Sequence, residues 1–286
     1  MKAFNVAIES FSSLHEHDID ELLYGETRSV NEHSRWQSWD ACLYDCIIKS
    51  KELFAKLKDP QAPLVWLLPA LAYQDELKQL LTNSLKQLYP EHVSHTLFYG
   101  AAGATTLLAL ARKNAWQKVN VIALDATFKV NKQGEYSYQG VAGILAVVKA
   151  KNTGWMQTSH HLAPSIDFAK HDQLPSMLEK IAQTAQPTIE LIFAPGNGIE
   201  PESDVWLNSL QLLDQVINEH THYELPNYKL GKMGALEGIV NLYQLTTSPA
   251  IVERYTHALV ISQEQAKYQA AASYLWISEE VHNNAK

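Results

Sequence analysis

Three features of the sequence predict an α/β fold built from two similar halves. Short apolar runs of β type alternate with runs at helical spacing along most of the chain, as in architectures where helices cover a sheet. Several of the β-type runs, PLVWLLPAL and VNVIALDA among them, are continuously apolar, the mark of strands buried on both faces. Finally, the order of elements recurs from Asn152 onward, so each half reads β-α-β-α-β-α-β-β. There is no short-period repeat, which excludes a solenoid.

In chain order, KAFNVAIES is the first strand. The polar, histidine-containing stretch Phe11–Ser38 is expected to be loop or short helix. WDACLYDCIIKSKELFAKL is a helix that stops before Asp59-Pro60. APLVWLLPAL is a strand and QDELKQLLTNSLKQLY a helix ended by Pro90. HTLFYG is a short strand, GATTLLALARKNAWQK a helix rich in small residues, and VNVIALDATF the strand after it. GVAGILAVVKAK is its hairpin partner. The second half repeats the order. GWMQTSHHLAP is a strand, DQLPSMLEKIAQTAQ a helix, PTIELIFAP a strand and DVWLNSLQLLDQVINE a helix. HYELPNYKL is a weak strand, and GKMGALEGIVNLYQLTT a second helix rich in small residues. RYTHALVIS and YQAAASYLW close the chain as a strand pair. The expected division is residues 1–151 and 152–286.

With 286 residues, 46% hydrophobic and 19% charged, the composition is that of a globular protein with a sizeable core. The net charge is −8, and Lys and Arg are scattered, so the basic footprint of a nucleic-acid binder is missing. No apolar run approaches the roughly 20 residues that span a bilayer. The N-terminal stretch turns acidic early, without a signal-peptide core. A soluble, cytoplasmic protein is expected. Cys42 and Cys46 are neighbours on one helical face and, without further ligands, make a poor metal site. No metal and no cofactor is expected.

Four stretches carry a resemblance to a known family. YGAAGATTLLALARKNAWQKVNVIALDATF resembles the segment that holds a nucleophilic cysteine, its buried helix and the following strand. GEYSYQGVAGILAVVKAK resembles the "GEGAAALVL" strand, IELIFAPGNGIEPESD the "EAHGTGT…D" loop, and YKLGKMGALEGIVNL the "GHxxGAAG" helix start. Together they resemble the thiolase fold, and within it the β-ketoacyl-acyl-carrier-protein synthases (3-oxoacyl synthases), the condensing enzymes of fatty-acid and polyketide synthesis. The resemblance implies an acyl-carrier-protein or CoA thioester as substrate. It also implies a dimer, either with itself or with a condensing enzyme, whose interface would involve His95–Gly100 and Val119–Phe128. The chain is shorter than an ordinary condensing enzyme.

The departures bear on activity. The nucleophile position falls on Gly103, the first histidine position on Pro195, and the second on Lys232 after Gly231. Condensation needs a thiolate at a helix N-terminus and two imidazoles that stabilise an enolate. The resemblance therefore implies a degenerate member without the Cys-His-His set. Remaining candidates for binding substrate are Gly103 and Ala104 at the helix start, Gly196, Asn197 and Gly198 in the APGNG loop, and Lys232. Gly103 and Ala104 are read either as a dipole end with exposed N–H groups or as small residues that let two helices pack. Lys232 is either an enolate-stabilising cation or a solvated helix-start lysine. Asp125 is expected to end its strand in a capping or turn role. Thr105 and Thr106 have no identifiable base in the sequence. His160 and His161 should point to opposite faces of one strand, and His92 and His95 are read as surface or cap residues. The Gly196–Gly198 loop alone is weak evidence for nucleotide binding. Two functions remain open: an acyltransferase or decarboxylase using non-standard residues, and a non-catalytic partner or scaffold resembling a chain-length factor. An unrelated α/β protein is the third alternative.

Overall fold

The computed structural model describes residues 2–12, 39–71, 75–92, 94–130, 136–164, 173–185, 188–195, 202–226, 233–264 and 268–278. The first half comprises β1 (Ala3–Ser12), α1 (Trp39–Phe54), β2 (Leu64–Leu67), α2 (Asp75–Leu88), β3 (Ser94–Leu97), α3 (Gly103–Lys113), β4 (Lys118–Val130) and β5 (Tyr136–Lys151). The second comprises β6 (Gly154–Pro164), α4 (Leu174–Thr184), β7 (Leu191–Phe193), α5 (Glu202–Ser209), β8 (His222–Glu224), α6 (Glu237–Thr247), α7 (Pro249–Val252), β9 (His257–Glu264) and β10 (Tyr268–Ile277).

The strands run in the order β3-β2-β4-β5-β1-β6-β10-β9-β7-β8. Read outward from the middle, both sides give the same succession of first, fifth, fourth, second and third strand. This is two similar halves related by a pseudo-twofold axis between β1 and β6. In each half the second, third and fourth strands pair in parallel, while the hairpin partner and first strand are antiparallel. The halves meet in the sheet through one pair, Phe4 with Trp155.

Alternation along the strands separates the core into layers. From β4, Val119, Val121 and Ala123 enter a central cluster that also contains Leu107 of α3 and Ile239 of α6. Their neighbours Ile122, Leu124 and Ala126 face outward, against Cys42, Cys46 and Leu53 of α1 and Leu81 and Leu85 of α2. In the second half, Ala258 and Val260 of β9 face the centre. Leu259 and Ile261 face α4 and the segment around Trp206 and Leu213. The central strands are thus covered on both sides, which is why no polar residue interrupts VWLL or VIAL. Helices α3 and α6 lie in the central layer between the two half-sheets.

Several elements differ from the sequence expectation. Asp125 lies inside β4 and is buried, instead of closing the strand. The α5 pattern gives way at Leu210–Leu213 to a 3-10 turn. Ile189 N–H then bonds Val216 O at 2.7 Å, drawing the chain back to the sheet edge. Strand β4 is hydrogen-bonded to β5 along its length and to β2 only over Asn120–Ala123. Strand β3, by contrast, ends the sheet order and is half-buried. Most of Phe11–Ser38 lies outside the described residues, although Phe11 and Ser12 extend β1. No helix among the described residues is long and apolar enough to cross a membrane.

Candidate functional site

The two central helices begin in the same way. After β3 the chain turns at Gly100, whose φ of 54° is left-handed, into a 3-10 turn at Gly100–Ala102 that runs into α3. Gly234, also at φ 54°, opens the matching turn Gly234–Leu236 before α6. A side chain is disfavoured in this conformation, so the glycines set where each helix starts. The turns also account for the N–H groups at the head of α3. Gly100 N–H donates to Leu68 O at 3.2 Å and Ala102 N–H to Tyr99 O at 3.2 Å. Gly103 N–H donates to Gly100 O. Within the GAAGA segment, the N–H groups of Gly100, Ala102 and Gly103 are thus bonded inside the chain.

Gly103, Ala104 and Thr105 are buried. At Gly238 of α6, a β-carbon would stand 2.7 Å from Ala104 Cβ and 2.6 Å from Ala101 O. Small residues thus bring α3 and α6 into backbone contact, as close crossings require. Asp125 ties the same junction from the side. Its Oδ2 accepts Ala235 N–H and its Oδ1 accepts Ala126 N–H, both at 2.7 Å. A carboxylate from the first half caps the helix entry of the second, where the dipole favours an anion. Asp125 thus caps an element remote in sequence, not the end of its own strand as expected.

A polar group sits one turn further along α3. Thr105 and Thr106 hydroxyls each donate to Ala102 O at 3.0 Å. Thr106 Oγ1 also lies 3.2 Å from His160 Nε2 of β6; with the hydroxyl proton on Ala102 O, Nε2–H is the donor in this contact. The placement of His160 depends on a β-bulge. The register of β6 against β10 slips between Gln157–Tyr274 and Ser159–Ser273, which turns His160 toward the centre. Before the slip, Gln157 points to the same layer and donates to Thr105 O at 3.0 Å and Tyr274 OH at 3.3 Å. Burial lowers His160 to about 4, with His161 and Arg112 adding in the same direction, so its imidazole is neutral at pH 7. Burial also pushes the fully enclosed Tyr274 phenol up. His161 faces the other side of the strand, lowered by burial and then by Lys180.

The other sequence candidates are dispersed. Pro195 is buried just after β7, next to Ala194, whose N–H bonds Glu224 O at 2.9 Å. Gly196, Asn197, Gly198 and Lys232 lie outside the described residues. Cys42 and Cys46 are on α1 in the outer layer, buried and with Sγ atoms 3.8 Å apart. A hydrogen bond from Cys42, followed by burial, holds the Cys46 thiol well above its usual range. His92 stacks edge-on to Phe54 and His95 tilts against Trp116, at 4.9 and 5.3 Å between centroids. Among the described residues no three His, Cys, Asp or Glu side chains gather as a metal site.

Chemically, the described part of the site offers a neutral imidazole on a threonine hydroxyl and a helix head closed by its own turn. It offers no thiolate. The carboxylate–turn contact and the Thr106–His160 pair both join residues more than 50 positions apart. The bulge gave no trace in GWMQTSHHLAP, since it depends on the pairing with β10.

No family model matches the chain, and no curated protein sequence matches it. Solved structures do. A type II polyketide synthase acyl-carrier protein in complex with its ketosynthase, AntDE:AntF, aligns over 97% of this chain and 100% of that one, with 13% identity and a TM-score of 0.54. The acyltransferase ChlB3 aligns over 97% of both chains, with 14% identity and a TM-score of 0.52. The 3-oxoacyl-(acyl-carrier-protein) synthase III of Aquifex aeolicus aligns over 96% and 98%, with 12% identity and a TM-score of 0.51. With the mirrored strand order and the two central helices, these alignments identify the fold as that of the thiolase-type condensing enzymes.

Proposed function

We propose that this chain is a β-ketoacyl-synthase-like protein of fatty-acid or polyketide metabolism that has lost the Cys-His-His chemistry. It binds acyl thioesters of an acyl-carrier protein or CoA as a non-catalytic partner resembling a chain-length factor. The observation that carries this reading is the head of α3. Where the resemblance places a nucleophile there is Gly103, buried and flanked by alanines, and both cysteines lie in a different layer. Gly103, Ala104, Gly196, Asn197, Gly198 and Lys232 remain the proposed contacts for substrate, with Pro195 in a histidine's place. The halves divide at 151/152. The protein acts in the cytoplasm as a homodimer, or as a heterodimer with a complete condensing enzyme. Strand β3 is the fitting edge for that contact, being terminal in the sheet and partly exposed. Neither nucleic acid nor membrane is a partner.

The test is equilibrium binding of an acyl-CoA and an acylated carrier protein, alongside sedimentation with and without a condensing enzyme. Saturable thioester binding with no turnover supports the reading. Failure to bind either thioester, or turnover at rates near those of a cysteine-dependent synthase, refutes it.

The Thr106–His160 contact favours one alternative, acyl transfer by non-standard residues. There the hydroxyl would turn from Ala102 O to His160 in the tautomer whose Nε2 is unprotonated and attack the thioester carbonyl; its proton would pass to Nε2, and the carrier thiolate would leave to collect that proton. An acyl group found on Thr106 would establish this alternative.

A further inference from the structure

The features above gather around the head of α3. A cavity of about 280 Å³ opens along its other half, lined from Leu108 to Ala115. Its walls come from the starts of β1 and β4, the ends of α3 and β5, and Gln157 of β6. They are mostly apolar, with Phe4, Leu108, Val119 and Val148 at the base and Trp116 at the side. Two cations, Lys2 and Arg112, share the lining, and no carboxylate does.

Both cations are positioned by neutral groups. Arg112 Nη1 donates to the main-chain oxygen of Gln157 at 3.0 Å, and Lys2 Nζ to the side-chain oxygen of Gln117. Among the described residues neither has an acidic partner. In a chain of net charge −8, two cations over an apolar floor are complementary to an anion with an apolar body.

The backbone at the cavity is strained. Helix α3 ends in a Schellman motif, with Trp116 N–H on Ala111 O at 3.0 Å and Ala115 N–H on Arg112 O at 3.1 Å. The left-handed residue of such a motif is usually glycine. Here it is Ala115, at φ 53°, and Ala115 lines the cavity. Strain of this kind collects at ligand sites.

We propose that this cavity binds a small organic monocarboxylate with an apolar body, such as a medium-chain fatty acid. The chain lies against Phe4, Leu108 and Val148, and the carboxylate meets Arg112 and Lys2. The volume is at the lower end of small-molecule sites, which suits a ligand of this size. The site is separate from the thioester-binding reading and does not depend on it.

The probe is octanoate, with octanol and octylamine as neutral and cationic counterparts of the same length. Binding is followed by Trp116 fluorescence, with Trp116→Phe as the control for the reporter, and by calorimetry. Octanoate is expected to saturate and to bind about tenfold more tightly than octanol, with octylamine weaker still. Lys2→Gln and Arg112→Gln are each expected to weaken octanoate about three- to tenfold and to leave octanol unchanged. Lys2 is exposed, so its replacement tests the charge without threatening the fold. Equal binding of the three probes, no saturation by octanoate, or octanoate binding unaffected by both substitutions overturns the proposal.

Discussion

Gly238→Ala tests the close crossing of the central helices. On helix propensity alone the change should stabilise α6 by about 1 kcal/mol. The site opposes it. The new β-carbon would sit 2.6 Å from Ala101 O, a backbone atom, and 2.7 Å from Ala104 Cβ. Ordinary contact begins near 3.5 Å, so α3 and α6 must part by about 0.8 Å. A gap of that size forfeits about a quarter to a half of the dispersion energy of the atoms along the contact. Overpacking of this kind costs about 1–3 kcal/mol and occasionally more, and a backbone obstacle puts it at the upper end. Net destabilisation of about 2 kcal/mol is expected, lowering Tm by about 4 °C in a chain of this size. Gly103→Ala is the internal control. There the β-carbon would meet the Leu67 side chain, nearest at Cδ2, 3.4 Å away, in a helical backbone, so stability should hold or rise by up to about 1 kcal/mol. Thermal and urea unfolding of both variants decide the matter. A Gly238→Ala protein as stable as the parent, or an equal loss from Gly103→Ala, refutes the packing account.

Asp125→Ala removes the acceptor of Ala235 and Ala126 N–H in a buried setting and should cost about 2–5 kcal/mol in urea unfolding. Ala115→Gly should raise stability by about 0.5–1 kcal/mol, because relief of the left-handed alanine outweighs the added chain entropy. Burial holds His160 at about 4 against an ordinary 6.5, so between those values the unfolded chain binds more protons than the folded one. Stability should then fall by up to about 3 kcal/mol as pH drops from about 6.5 to 4, and His160→Gln should flatten that share of the pH profile. In the native protein Cys42 and Cys46 should react with a disulfide reagent orders of magnitude more slowly than in denaturant, where both titrate.

Much of the fold was legible because the strands are covered on both faces. Runs such as VWLL and VIAL carry the burial of two layers in their composition, and the small-residue helices show their mutual contact as Gly and Ala at the crossing. What was not legible depends on partners far along the chain. Asp125 reads as a strand-end residue until β4 is seen to run on to Val130 and its carboxylate to reach Ala235. Thr106 meets His160 only through the slip in register between β6 and β10, and pairing irregularities leave no period in a single strand. The cavity beside Ala115 was missed for the same reason, being assembled from the ends of five strands and helices.

The central claim, that the chain forms no covalent acyl-enzyme, is tested most directly by intact mass spectrometry after incubation with an acyl-CoA and an acylated carrier protein. The account predicts the unmodified mass of the 286-residue chain under denaturing conditions, even where native binding is saturated. A stable increment of one acyl group would contradict it. Its position, on Thr106 or on a cysteine, would then show which side chain performs the chemistry.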